Sequence, residues 1–235
     1  MNIKINLSPF KIVKSITVFF FLFSLVNLVI QFAKYGFNYR QEWMVIFNMD
    51  REMNFPTLYA VLLLAFCSWL LKLIYQLEKR RKFKFAVYWK VLHFLLAFMA
   101  LDEALQIHEI MIIPDVSKRL PGIFHAVWVI PYGLCTLVLI YYFSKFIAHL
   151  PGQVKKMAIA SASIYLFGVL GMEMIGGIWI RMAGGMQNLV YALLASAEEM
   201  LEITGLIVLI YGLLIYITEY HQESIKITLD IREKE

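Results

Sequence analysis

The chain has 235 residues, of which 61% are hydrophobic and 17% charged, with a mean hydropathy of +0.69. Soluble domains hold only roughly 45–50% apolar residues, so this composition excludes a soluble globular protein and predicts an integral membrane protein. The net charge of +5 does not point to nucleic acid, because the cations stand in short clusters between apolar runs rather than on one soluble face.

Six apolar runs predict an all-α polytopic membrane bundle, a single transmembrane domain over residues 1–235 with spans at about 14–34, 56–77, 84–113, 121–147, 156–181 and 188–218. Each is near the roughly 20 residues needed to cross a bilayer. The first run is too long for a signal-peptide core and lacks a small-residue cleavage pattern, so it is expected to remain as a helix. Residues 35–55 then form the longest connection, with Trp43, Phe47 and Phe55 among Asp50, Arg51 and Glu52. Its aromatics suit an interfacial segment, and no chemistry is assigned to it. Pro56 marks the first turn of the second helix, Pro114 the end of the third, Pro121 the start of the fourth, and Pro151-Gly152 the break before the fifth. Pro131 is expected to bend the fourth helix. Cys67 and Cys135 fall in separate spans, and neither a disulfide nor a cysteine metal site is indicated.

Lys and Arg are distributed unevenly between the two sets of helix ends. Sixteen lie at the termini and the second and fourth connections, against six (Lys34, Arg40, Arg51, Lys118, Arg119 and Arg181) on the other side. By the positive-inside tendency both termini are predicted to be cytoplasmic.

Ionisable residues inside the spans carry the functional signal. The third helix supplies Asp102, Glu103, His108 and Glu109, the fourth His125, the fifth Glu173, and the sixth Glu198, Glu199 and Glu202. At 1.5 Å rise per residue these groups from four helices share one slab, from near the bilayer centre to its outer surface. An Asp at the centre of a span costs roughly 2.5–3.5 kcal/mol on insertion scales. Seven carboxylates with two histidines and, at the edge, Arg181 cannot be balanced by protein cations, so protons, water or metal ions must do so. Carboxylate oxygens together with imidazole nitrogens suit iron, manganese or zinc.

On a continuous third helix, Asp102, Gln106 and Glu109 share one face, Glu103 is turned away, and His108 reaches toward a neighbouring helix. The expected metal ligands are Asp102, His108, Glu109, His125, Glu173, Glu198, Glu199 and Glu202, with Asp102, Glu109 and Glu202 as the catalytic acid/base groups. Small residues beside them, Gly171, Gly176, Gly177, Ala192, Ala195 and Ser196, favour close helix approach.

Known chemistries are largely absent. A zincin needs a histidine where Ile112 stands, and the di-iron Glu-x-x-His pattern fails at Leu105. The segments Asn48-Met49-Asp50-Arg51-Glu52, Asn54-Phe55-Pro56-Thr57, Leu101-Asp102-Glu103 with His108-Glu109, and Glu198-Glu199 with Glu202 resemble a group of bacterial multi-pass membrane proteins that carry an Asp-Glu-x4-His-Glu segment and have no known activity. The resemblance implies a bacterial inner-membrane location. The leading expectation is a metal-dependent enzyme acting in the lipid bilayer on a lipid or other apolar small molecule. A proton- or cation-coupled transporter and a membrane assembly or chaperone subunit remain as alternatives.

Overall fold

The computed structural model describes residues 2–6, 8–112, 114–220 and 226–230. His221, Arg232 and Lys234 lie outside the described residues, as does Ile113, the expected last residue of the third helix. The architecture is an all-α bundle. Its main helices are α1 (Pro9–Gly36), α2 (Phe55–Arg80), α3 (Ala86–Leu105), α5 (Val129–Ala148), α6 (Gly152–Leu166), α7 (Glu173–Ala183) and α8 (Leu189–Ile215). One turn, α4 (Pro114–Ser117), and short 3-10 segments fill the α3–α5 connection. A two-stranded antiparallel ribbon of β1 (Asn2–Asn6) and β2 (Lys226–Asp230) joins the terminal segments, with Lys4 opposite Thr228.

Among the described residues, five continuous helices are long and apolar enough to cross a membrane: α1, α2, α5, the run Gly152–Ala183 that joins α6 to α7, and the run Leu189–Tyr220 that extends α8. The 20 residues of α3 reach about 30 Å, but Lys90, Asp102 and Glu103 make it more polar, and it packs as a hairpin partner along α2. Large apolar side chains on α1 (Phe19, Phe21, Leu22, Val29) and α5 (Leu134, Leu137, Val138) are exposed. Outward apolar faces of this kind suit hydrocarbon rather than water as the surrounding solvent.

Helix starts follow local chemistry. Ser8, Asn54 and Asn188 cap α1, α2 and α8 by accepting from the backbone N–H groups of Lys11, Thr57 and Tyr191. Two boundaries differ from expectation. The third helix stops at Leu105, not near 113, because Gln106 adopts φ 54°, ψ 41° and the Asp102 carboxylate accepts the His108 N–H at 3.0 Å. A left-handed residue ends the helix, and the Asp side chain replaces the bonds the helix would have made. The fourth long helix begins at Val129, not 121, since Gly122–Phe124 forms a separate 3-10 turn. Pro131 therefore sits in the first turn of α5, where no helical bond is lost, and it does not act as a kink.

Beneath the connection from α1 to α2 lies a polar network. Asn27 donates to Ser196 Oγ on α8 at 2.8 Å and accepts from Gln31 at 3.0 Å and from the Met49 N–H at 3.0 Å. Gln31 also donates to Asn48 Oδ1 at 2.5 Å. Asn27, Gln31 and Ser196 are almost fully buried. Asn54 adds a second clasp, donating to the carbonyls of Asn48 (2.7 Å) and Arg51 (2.6 Å) while capping α2. Residues 48–54 are thus folded back onto the bundle. Asn27→Ala leaves the Met49 N–H without its acceptor and the Gln31 amide with only Asn48, at a cost of about 1–3 kcal/mol for a buried group left unsatisfied. The expected outcome is a lower melting temperature in detergent together with faster proteolysis at residues 48–54; unchanged melting and cleavage would count against the network as the loop's anchor.

Candidate functional site

The turn that ends α3 organises the polar end of the site. Asp102 Oδ2 lies 3.1 Å from His108 Nδ1, and Oδ1 accepts from the His108 N–H and from the Tyr132 hydroxyl, each at 3.0 Å. With one ring nitrogen held by a carboxylate, the imidazole presents Nε2 in a fixed direction. Trp128 packs edge-on against that ring at 5.2 Å, and Tyr132 packs against Trp128 at 5.4 Å. His108 Nε2 points to Glu52 Oε1 at 3.8 Å. Ligand atoms from Glu52, His108 and Glu109 all lie within 4.8 Å of one another. Such a group of two carboxylates and one imidazole can hold a divalent cation.

Glu52 is the residue that sequence reasoning missed. It belongs to the folded-back 48–54 loop, one of its carboxylate oxygens is buried without a partner, and burial followed by the charges of Glu109 and Glu103 pushes its pKa up to about 7. The available signal was the run Asn48-Met49-Asp50-Arg51-Glu52 with the Asn54 cap behind it, a dense set of loop-fixing side chains around one acid. Asp50 in the same loop is also raised by burial, against the opposing effects of Lys34 and Arg51, and pairs with Lys34 at 3.9 Å.

The remaining carboxyls line the same cavity, about 1180 Å³, from deeper positions. Glu173 opens α7 and meets Glu198 of α8 in carboxyl-to-carboxyl hydrogen-bonding contact, which requires a shared proton or a bridging cation. The Glu202 carboxyl lies beside the Tyr165 hydroxyl of α6, and Glu199 lies within electrostatic reach of Glu103 and Glu52. Glu103, expected to be turned away from the Asp102 face, lines the cavity together with Asp102. The shared-face reading of Asp102, Gln106 and Glu109 does not apply, because the helix has ended before Gln106.

Local backbone geometry brings these helices together. A π-helical segment, Phe167–Met172, joins α6 to α7 immediately before Glu173; π turns insert a residue and re-aim the side chains beyond the insertion, and they occur often at functional sites. Gly168 within it lies so close to α8 that an added Cβ would stand 3.0 Å from Glu202 Cγ and 3.1 Å from the Glu198 carbonyl oxygen. Gly177 makes the corresponding approach to Gly122 and His125, whereas Gly171 faces only its own turn at Phe167. Ser196 is used differently from expectation, as a member of the Asn27 network.

One expected ligand stands outside that group. His125 borders the cavity but is absent from the Glu52–His108–Glu109 group; its Nδ1 is buried without a hydrogen-bond partner, and burial and then Arg181 lower its pKa. Arg181 does not balance the carboxylates. Its guanidinium donates to the carbonyls of Ser117 (2.8 Å), Lys118 (2.9 Å) and Leu120, stapling the loop ahead of α5 to α7.

Fold and site together define a multi-pass helical membrane protein with a carboxylate- and histidine-lined cavity. The chain belongs to the family described as a domain of unknown function (DUF8692), whose match covers residues 16–217. No curated protein and no solved structure matches it.

The raised Glu52 fixes the sign of one pH effect. A carboxyl whose folded pKa lies near 7 against an ordinary 4.5 contributes stability fully present below about 4.5 and lost as pH rises through about 7. In chelator, Glu52→Gln is expected to melt with the wild type near pH 4.5 and above it at pH 8. Parallel melting curves across that range would contradict the buried placement of Glu52.

Proposed function

We propose that this protein is a metal-dependent enzyme of the bacterial inner membrane that acts on a lipid or other apolar molecule, with Glu52, His108 and Glu109 holding an iron, manganese or zinc ion. The observation that carries this reading is the convergence of those three side chains in the wall of a cavity that also has a long apolar lining. The donor set fits such an ion, because His108 is already oriented through Asp102 and its free nitrogen faces the two carboxylates. A bound ion of this kind polarises a carbonyl or phosphoryl oxygen and activates water.

The other residues have distinct parts. Asp102, supported by Tyr132, orients His108. Glu173 and Glu198 form a pair that can take up or release one proton at the carboxyl oxygens, and Tyr165 holds Glu202 facing the same space. Acid and base work needs groups that exchange protons within reach of one substrate atom, and the cavity supplies several. Among the described residues the deeper wall has Ser161 and Thr136 but no charged side chain beyond Glu202, which favours an enzyme over a transporter. The excess of Lys and Arg at the terminus-bearing helix ends supports a cytoplasmic position for both termini and an outward-facing polar mouth.

Elemental analysis of the purified protein, after equilibration with each of the three metals, tests the reading. The expected result is about one ion per chain, lost in Glu52→Gln and His108→Ala. Asp102→Asn is expected to weaken binding roughly 10–100-fold, the usual effect of removing a partner that orients a ligand. A wild-type protein that retains none of these metals would refute the assignment.

A further inference from the structure

Below the carboxylates the cavity continues as an apolar limb between α3, α5, α6 and α8, lined by Leu92, Leu96, Leu139, Phe143, Ala158 and Leu209 among others. On α8 it runs from Glu202 to Leu213, eleven residues, or about 16 Å at 1.5 Å each. One leaflet of the roughly 30 Å hydrocarbon core has about the same depth. Toward the terminus-bearing end the limb reaches Trp89 and Phe146, both almost fully buried, whose rings meet edge-on at 4.9 Å. Among the described residues the cavity is lined by nine carboxyl groups against three Lys or Arg side chains, Lys34, Arg40 and Arg51, and two histidines, His108 and His125. One divalent cation does not cancel that excess of acid, so the mouth favours a positive head group over an anionic one.

We infer that the cavity takes a single-chain amphiphile, with its hydrocarbon chain in the Leu92–Leu209 limb and an ammonium-bearing head among the carboxylates. The inference rests on the cavity being the substrate chamber, as in the function proposed above. A chain of one-leaflet length fills the limb from the acidic mouth to the aromatic floor. Each methylene buried in the limb adds to affinity, so chain length dominates until the floor is reached. Ala158 stands on the wall about one turn from the Leu150–Val154 end of the limb, where a larger side chain shortens the space without touching the polar groups.

Hexadecylamine, octylamine and palmitoyl lysophosphatidic acid serve as probes in competition binding to the detergent-solubilised protein, with metal content measured on the same samples. Hexadecylamine is expected to bind more than tenfold tighter than octylamine and than the lysophosphatidic acid. Ala158→Phe is expected to remove the advantage of the longer amine and leave octylamine unchanged; Leu139→Trp, on the opposite wall, makes the same test if the first variant does not fold. Equal affinity for both amines, or preference for the anionic lipid, overturns the inference. Protein that holds no metal yet shows the chain-length break supports this inference while ending the enzyme reading; metal-holding protein indifferent to chain length overturns the inference alone.

Discussion

The structure depends on keeping a surplus of carboxyl groups inside an apolar bundle. Ionised carboxylates in hydrocarbon are expensive, and like charges brought together add to the cost. The surrounding architecture answers that constraint at each level. Asp102 is spread over three hydrogen-bond donors, Glu173 and Glu198 face each other, Glu202 meets Tyr165, and Glu52 is set opposite His108. Arg181, eight residues after Glu173, is spent on loop carbonyls instead. The carboxylates are thus left for protons, cations or a ligand.

The scaffolding that holds them is largely backbone geometry fixed by small or amide side chains. A left-handed Gln106 turns the chain sharply so that His108 returns to Asp102. Non-glycine residues in that conformation carry a cost of roughly 1–3 kcal/mol and persist where the surroundings over-determine them, often at functional sites. Gly168 and Gly177 permit two close approaches, one of α8 to the π segment and one of α7 to the loop ahead of α5. The Asn27–Gln31–Asn48 network brings in a part of the chain that lies about fifty residues before the turn it serves. Its effect is to deliver Glu52 to His108.

Hydrophobic run lengths and prolines made the long helices legible, as at Pro56 and Pro151-Gly152, because burial and backbone hydrogen bonding in lipid act on every residue of a span. Asp102, Glu173, Glu198 and Glu202 line one cavity, and their grouping was legible because rise per residue converts position along a helix to depth. Arguments that needed a side chain's direction failed. The helix face predicted for Asp102, Gln106 and Glu109 assumed a helix through residue 113, and the Asp102 side chain ends it at Leu105. Glu52 was hidden because a loop's path is set by long-range amide contacts from Asn27 and Gln31, which no local periodicity encodes. Arg181 stood at the edge of the slab by depth, but depth does not say which way a long side chain turns, and its guanidinium is held by the carbonyls of Ser117 and Lys118.

The central claim is that Glu52, His108 and Glu109 form one ligand set at the mouth of the membrane cavity. X-ray absorption spectroscopy of zinc-loaded protein tests it most directly. The account predicts a low-coordinate zinc with one imidazole nitrogen and otherwise oxygen donors, and a signal that collapses in Glu52→Gln. A spectrum with two or more imidazoles, or one unchanged by that substitution, would contradict it.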